Sequence, residues 1–145
     1  MEKKVVLVAG TFDILHESHI NFLRNARNLG DKLVVMLSTD EFNWKEKGKK
    51  SYQDYDTRKY ILEAIRYVDL VVPEQSWNDK SLYIDMFNIS IFVMGDDWKN
   101  KFDELKNEFP KLKVMYFPRG KTSSSKIKKE LGTQFSLNLE KKNNK

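Results

Sequence analysis

The sequence predicts an α/β protein: a mainly parallel sheet of about five strands with helices on both faces. Three observations carry that expectation. Val5-Val-Leu-Val-Ala9, Lys32-Leu-Val-Val-Met-Leu-Ser38 and Ser90-Ile-Phe-Val-Met-Gly95 are apolar runs without alternation, the pattern of strands buried on both faces. Segments with helical spacing of apolar residues separate them. At the N-terminus strand, helix and strand follow within about forty residues, the proportions of a right-handed βαβ unit.

The first strand covers roughly Lys4 to Ala9. Ile20, Leu23, Ala26 and Leu29 space a helix from Ser18 to Leu29, stopped at Gly30. The second strand is Lys32 to Ser38. Thr39 to Ser51 carries Lys45, Lys47, Lys49 and Lys50 and is expected to be a mobile loop at that strand's carboxyl end. Asp54 to Val68 reads as a helix with Tyr55, Ile61, Leu62, Ile65 and Val68 on one face. Arg58 and Arg66 lie near enough to one face of it, and each alone reads as surface charge. Asp69 to Pro73 is a short strand, and Asn78 to Phe87 a helix anchored by Leu82, Ile84, Met86 and Phe87. Lys80 falls in the first turn of that helix, against the dipole, which hints that it serves a ligand. After the strand Ser90 to Gly95, a turn opens a helix to about Phe109, with Asp96 and Asp97 available as caps. Leu112 to Pro118 is the last strand, and Arg119-Gly-Lys-Thr-Ser-Ser-Ser-Lys-Ile127 opens a final short helix. The result is one Rossmann-like, doubly wound domain over residues 1–131, with a polar tail, 132–145, expected to be partly disordered.

Composition narrows the function classes. A chain of 145 residues with 40% hydrophobic and 12% aromatic residues can bury one core. No apolar run reaches membrane-spanning length, no signal-peptide pattern opens the chain, and there is no cysteine, so a cytoplasmic protein without a membrane partner is expected. The net charge is +5, of which Glu140 to Lys145 supplies +2. That excess suits a phosphate-rich small ligand. No long basic run or aromatic-interleaved patch points to nucleic acid.

Both histidines of the chain, His16 and His19, stand in Ala9-Gly-Thr-Phe-Asp-Ile-Leu-His-Glu-Ser-His19, where the first strand turns into the first helix. In an open α/β sheet the ligand lies beyond the carboxyl ends of the strands. A helix start offers free N–H groups and partial positive charge to phosphate, and residues at i and i+3 face one side. On geometry alone, packing explains two such histidines equally well. With no cysteine and no third histidine, a dedicated zinc site is disfavoured. A second helix mouth at Thr122, Ser123, Ser124 and Ser125 has more hydroxyls than one cap needs, with Arg119 and Lys121 beside it.

Gly10-Thr-Phe-Asp-x-Leu-His16-x-x-His19 resembles the signature turn, written HxGH, of a nucleotidyltransferase superfamily. Taken with Ser38-Thr-Asp-Glu-Phe-Asn43, Arg66-Tyr-Val-Asp69, Pro73-Glu74, Phe92-Val-Met-Gly-Asp-Asp-Trp98 and Pro118-Arg119 with the serine run, residues 4 to about 131 resemble the glycerol-3-phosphate cytidylyltransferases. The resemblance implies transfer of CMP from CTP to a polyol phosphate, with sn-glycerol 3-phosphate the favoured acceptor and CDP-glycerol for cell-surface polymers the product. It implies Mg²⁺ carried by the triphosphate, no dedicated protein ligands for the metal, and a homodimer. It places nucleotide contacts at Gly10, Thr11, Phe12, His16, His19, Lys49, Asp96, Arg119 and Thr122 to Ser125. It gives catalytic roles to His16, His19, Lys47 and Arg119, and acceptor contacts to Lys47, Arg66 and Lys80.

The chain departs from the family's pattern. Glu17 and Ser18 stand where an aromatic residue and glycine are usual, although Ser18 can cap the helix. Arg119-Gly-Lys-Thr122 replaces Arg-Thr-Glu-Gly. The lysine loop is one residue longer, so that Lys45 or Lys50 can take the place of Lys47 or Lys49. Alternative readings are a cytidylyltransferase for ribitol or a hexitol phosphate, a non-catalytic CTP-binding module, and a basic nucleic-acid-binding domain.

Overall fold

Side chains alternate across a strand, so an apolar run with no polar positions needs cover on both faces. The computed structural model, which describes residues 3–118 and Leu131, shows that cover. The strands are β1 (Val5–Gly10), β2 (Lys32–Ser38), β3 (Leu70–Glu74), β4 (Ile91–Gly95) and β5 (Lys113–Phe117). They pair in the order β3-β2-β1-β4-β5, and every pairing is parallel. On one face Val6, Val8, Leu33, Val35, Ile91 and Val93 meet Leu23 and Ala26 of α1 (Glu17–Arg27) and Leu62 of α3 (Tyr55–Glu63). On the other, Leu7, Val34, Met36, Phe92 and Met94 meet Ile84 of α4 (Asp79–Met86), with Leu105 of α5 (Leu105–Glu108) packed alongside.

The expected loop after β2 is instead a helix, α2 (Asp40–Lys47). Thr39 Oγ1 accepts the Phe42 N–H at 3.1 Å, and Asp40 and Glu41 occupy the first turn with Lys45 and Lys47 in the last. Gly48 closes the helix with φ +60°, a left-handed cap that glycine adopts without strain. Conversely, the helix expected from Gly95 to Phe109 is broken into a 3₁₀ turn, Asp96–Trp98, and the short α5, and neither carries a side-chain cap. Asp96 therefore does not cap. His16, not Ser18, caps α1.

Gly30 follows from close approach: a Cβ there would stand 2.7 Å from the Lys4 carbonyl, which already accepts from Asp31 N and Lys32 N. Edge strand β3 contains Pro73, whose carbonyl accepts the Tyr83 hydroxyl at 2.8 Å. Among the described residues no helix is long and apolar enough to cross a membrane. The final helix expected after Arg119 and the tail 132–145 lie outside the described residues.

Replacing Gly48 by alanine puts a Cβ into a left-handed conformation with open space around it, so only backbone strain is added. Denaturant unfolding should show a loss of about 1 kcal/mol, and Gly48→Asn a smaller one.

Candidate active site

Where the strand order reverses, β1 and β4 diverge at their carboxyl ends and leave a crevice. A cavity of about 370 Å³ opens there, within the range of small-molecule sites. Its wall takes Ala9 to Asp13, His16, Ser18 and His19 from the first turn, Asn43, Lys47, Lys49 and Lys50 from α2 and beyond, Glu74, Trp77 and Lys80 around β3 and α4, and Gly95, Asp97, Trp98 and Phe102 beyond β4.

The turn after β1 is strained. Phe12 and Ile14 hold φ of 48° and 50°, left-handed values that cost about 1–3 kcal/mol each outside glycine. The chain at 51–53 locks it: the buried Asp13 carboxylate accepts Tyr52 N at 2.7 Å and Gln53 N at 2.9 Å, and Ile14 N donates to Gln53 Oε1 at 3.1 Å. Arg58, read from sequence as surface charge, is fully buried beneath this turn. Its Nη1 donates to Thr11 O and Ser38 O, both at 2.9 Å, its Nε to Gln53 O at 3.0 Å, and its Nη2 to Asp40 Oδ1 at 2.7 Å. Position 58 faces the sheet because α3 crosses over the ends of β1 and β2, which its own periodicity does not reveal.

That lock positions the imidazoles. His16 Nδ1 accepts the Ser18 N–H at 3.2 Å, so the neutral ring carries its proton on Nε2. Nε2 is buried and has no partner among the described residues. His16 and His19 stack with centroids 4.0 Å apart, and the Phe12 ring lies 5.5 Å from His19. Phe12 thus belongs to the core beneath the histidines while lining the cavity. Burial lowers the His16 pKa from 6.5.

Helix α2 delivers the lysines. Lys47 is half-buried over the Phe42 ring at 5.4 Å. Desolvation lowers its pKa, the Glu74 charge opposes that shift, and Lys80, Lys49 and Arg58 reinforce it. Lys49 and Lys50 line the exposed rim, and Lys45 is not part of the wall. Asn43, four residues before Lys47, is buried: its Oδ1 accepts the Thr11 hydroxyl at 3.4 Å, and its Nδ2 has no partner among the described residues. Across the cavity, Lys80 pairs with Glu74 and sits 4.9 Å from the Trp77 ring centroid and 5.0 Å from that of Phe102. Trp77 Nε1 donates to Glu46 Oε2 at 3.1 Å, and its ring lies 6.2 Å from Trp98.

Two residues with expected contacts lie outside the cavity wall. Arg66 is exposed in the turn that leads into β3, whereas the carboxyl end of that strand, Glu74, faces the cavity. Arg66 is thus at the amino edge of the sheet, where Asp69 pairs with Arg27 at 3.1 Å and accepts Leu33 N. Asp96 does not line the wall but Asp97 does: the 3₁₀ turn sends consecutive side chains in different directions. Arg119, Thr122, Ser123, Ser124 and Ser125 lie outside the described residues. Glu17 is exposed and outside the wall, while Ser18 is within it.

Sequence reading missed Arg58, Asp13, Asn43, Glu74 and Trp77. Asp13, Asn43 and Glu74 stand inside segments it had singled out, whereas Arg58 and Trp77 carried no local signal. No group of three metal-ligating side chains occurs among the described residues, and the carboxylates of Asp13 and Glu74 are committed to N–H donors.

Known proteins resemble this chain in sequence and fold. A family described as cytidylyltransferase-like matches residues 7–131. Glycerol-3-phosphate cytidylyltransferase of Staphylococcus aureus is 52% identical over 129 residues, covering 88% of this chain and 95% of its own length. That of Bacillus subtilis is 53% identical over 129 residues, covering 88% and 97%. Among solved structures, a lipopolysaccharide core biosynthesis protein from Thermoplasma volcanium superposes with a TM-score of 0.67 at 26% identity, over 84% of this chain and all of that one.

Arg58→Met should lower stability by about 3 kcal/mol, because Thr11 O, Ser38 O, Gln53 O and Asp40 each lose the guanidinium as a donor; thermal unfolding reads this directly. The lowered His16 pKa means that the folded state binds this proton less readily than the unfolded chain. Its contribution is complete above 6.5 and is lost as pH falls through the folded value, when Nδ1 can no longer accept from Ser18. Between about pH 7 and about pH 5 the wild-type melting temperature should therefore fall further than that of His16→Asn.

Proposed function

Since the chain belongs to the cytidylyltransferase family, we propose that it transfers CMP from CTP to a polyol phosphate, sn-glycerol 3-phosphate first among them, releasing CDP-glycerol and pyrophosphate. The observation that carries the reading is the buried His16 Nε2–H, without a partner among the described residues, beside stacked His19 in a lysine-lined cavity at a helix mouth. The names of the half-identical relatives support glycerol 3-phosphate as acceptor.

The acceptor's phosphate oxygen attacks the α-phosphorus of CTP. A new P–O bond forms, the bond to the bridging oxygen of the β-phosphate breaks, and pyrophosphate carries away the electron pair. A phosphate monoester dianion is already nucleophilic, so neither a serine nor a cysteine nucleophile is required. The protein's work is positioning and charge stabilisation. His16 Nε2 donates to a phosphate oxygen, with His19 stacked on it. Lys47 from the end of α2 and Lys49 just beyond it, with Arg119, offset the charge growing on the leaving pyrophosphate. Gly10 and Thr11 bring backbone against the nucleotide, Asp97 replaces Asp96 as the acidic contact beyond β4, and Lys80 faces the acceptor. Mg²⁺ enters with the triphosphate, held by its oxygens and by water. The proposal includes a cytoplasmic homodimer that supplies cell-surface polymer synthesis.

Pyrophosphate release with CTP, Mg²⁺ and a panel of polyol phosphates tests the reading, with ATP as the control nucleotide. Turnover with glycerol 3-phosphate and CTP, and none with ATP, is expected. Turnover only with ribitol or a hexitol phosphate would move the acceptor. CTP binding without turnover would favour the non-catalytic module, with Ser18 in the wall as its cause. In this reading the two nitrogens of His16 have separate tasks, the cap and the phosphate, which gives a separate test. His16→Ala should lose about 1 kcal/mol of stability with its cap and about 10²–10³ in kcat with its donor. His16→Asn should recover the stability and not the rate.

A further inference from the structure

We infer that Glu74 is a positioning residue for Lys80, fixing its ammonium at the acceptor side of the cavity; the inference rests on the proposed function. A carboxylate in the wall of a site for phosphates works against its ligand, and a buried charge is costly unless paired. Yet Glu74 is 2% exposed and lines that wall. Its place follows from its pairing with Lys80, itself 3% exposed.

Among the described residues, the other neighbours of Lys80 do not fix that ammonium. Its position in the first turn of α4 opposes the helix dipole. Lys47 presents a like charge from α2. The rings of Trp77 and Phe102, about 5 Å away, attract a cation but do not hold it to one direction. Glu74 supplies the direction. It is also a rigid post, because it ends β3, in register with Ser38, and its carbonyl accepts Thr39 N at 3.0 Å. An ammonium has three N–H donors. One goes to Glu74, and among the described residues no other acceptor is seen for the remaining two, which the inference assigns to the oxygens of an acceptor phosphate.

The test measures kcat and KM for CTP and for glycerol 3-phosphate separately, in wild type, Glu74→Gln, Glu74→Asp, Lys80→Met and the double variant Glu74→Gln/Lys80→Met. Glu74→Gln should raise the acceptor KM by about tenfold or more and leave the CTP KM within about threefold. Glu74→Asp should recover part of the loss, and the double variant should be no worse than Lys80→Met alone. Equal rises in both KM values, or additive losses in the double variant, would overturn the role. If Glu74→Gln does not fold, Glu74→Asp carries the test: a selective rise in acceptor KM supports the role and an unchanged one removes it. Wild type that turns over glycerol 3-phosphate beside an unaffected Glu74→Gln sinks the inference alone. Wild type that turns over no polyol phosphate sinks the proposed function and this inference with it.

Discussion

The buried Arg58 guanidinium is the constraint on which the cavity depends. Its donors reach the end of β1, the end of β2, the first residue of α2 and the segment before α3. A guanidinium cannot shed its charge, so once buried it holds those acceptors where they are. The strained turn at Phe12 and Ile14 and the helix that carries Lys47 are therefore fixed against one another through a single planar group. The imidazoles and the lysine come from opposite sides of β1 and β2, yet their separation is set by one side chain.

Above that anchor the wall spends its polar atoms economically. His16 uses one ring nitrogen to start a helix and keeps the other for the cavity. Asp13 uses both carboxylate oxygens on backbone N–H groups. Lysines stand on both flanks with carboxylates between them, so positive charge is directed at particular points rather than spread over the surface. This differs from a polyanion-binding face, where cations lie exposed in rows.

The sheet was legible because its strands are apolar on both faces, a pattern few other arrangements explain. Lys80 stood out because its charge opposes the dipole of its own helix, whereas His16, His19 and Lys47 were singled out by the motifs that carry the family resemblance. What escaped was set by tertiary contact. Arg58 looks like any helical surface arginine until the ends of β1 and β2 are laid over it. Arg66 shares a motif with Asp69, but strand direction puts that motif at the far edge, and direction is a property of the whole sheet. Asp96 and Asp97 differ by one residue and by the choice between an α-helix and a 3₁₀ turn. Helix α2 was the avoidable miss: Thr39, the acidic first turn, the basic last turn and Gly48 spell its two ends, and four lysines drew attention away from them.

Pro73 has a consequence for assembly. β3 is an outer strand, and outer strands invite a further chain to add itself by backbone pairing. At Pro73 the nitrogen has no hydrogen to offer and the carbonyl is occupied by the Tyr83 hydroxyl. The residue presents an incoming strand with neither donor nor acceptor. This border of the sheet is blocked to strand addition near its carboxyl end, so a neighbour that settles over Pro73 must be held there by side chains.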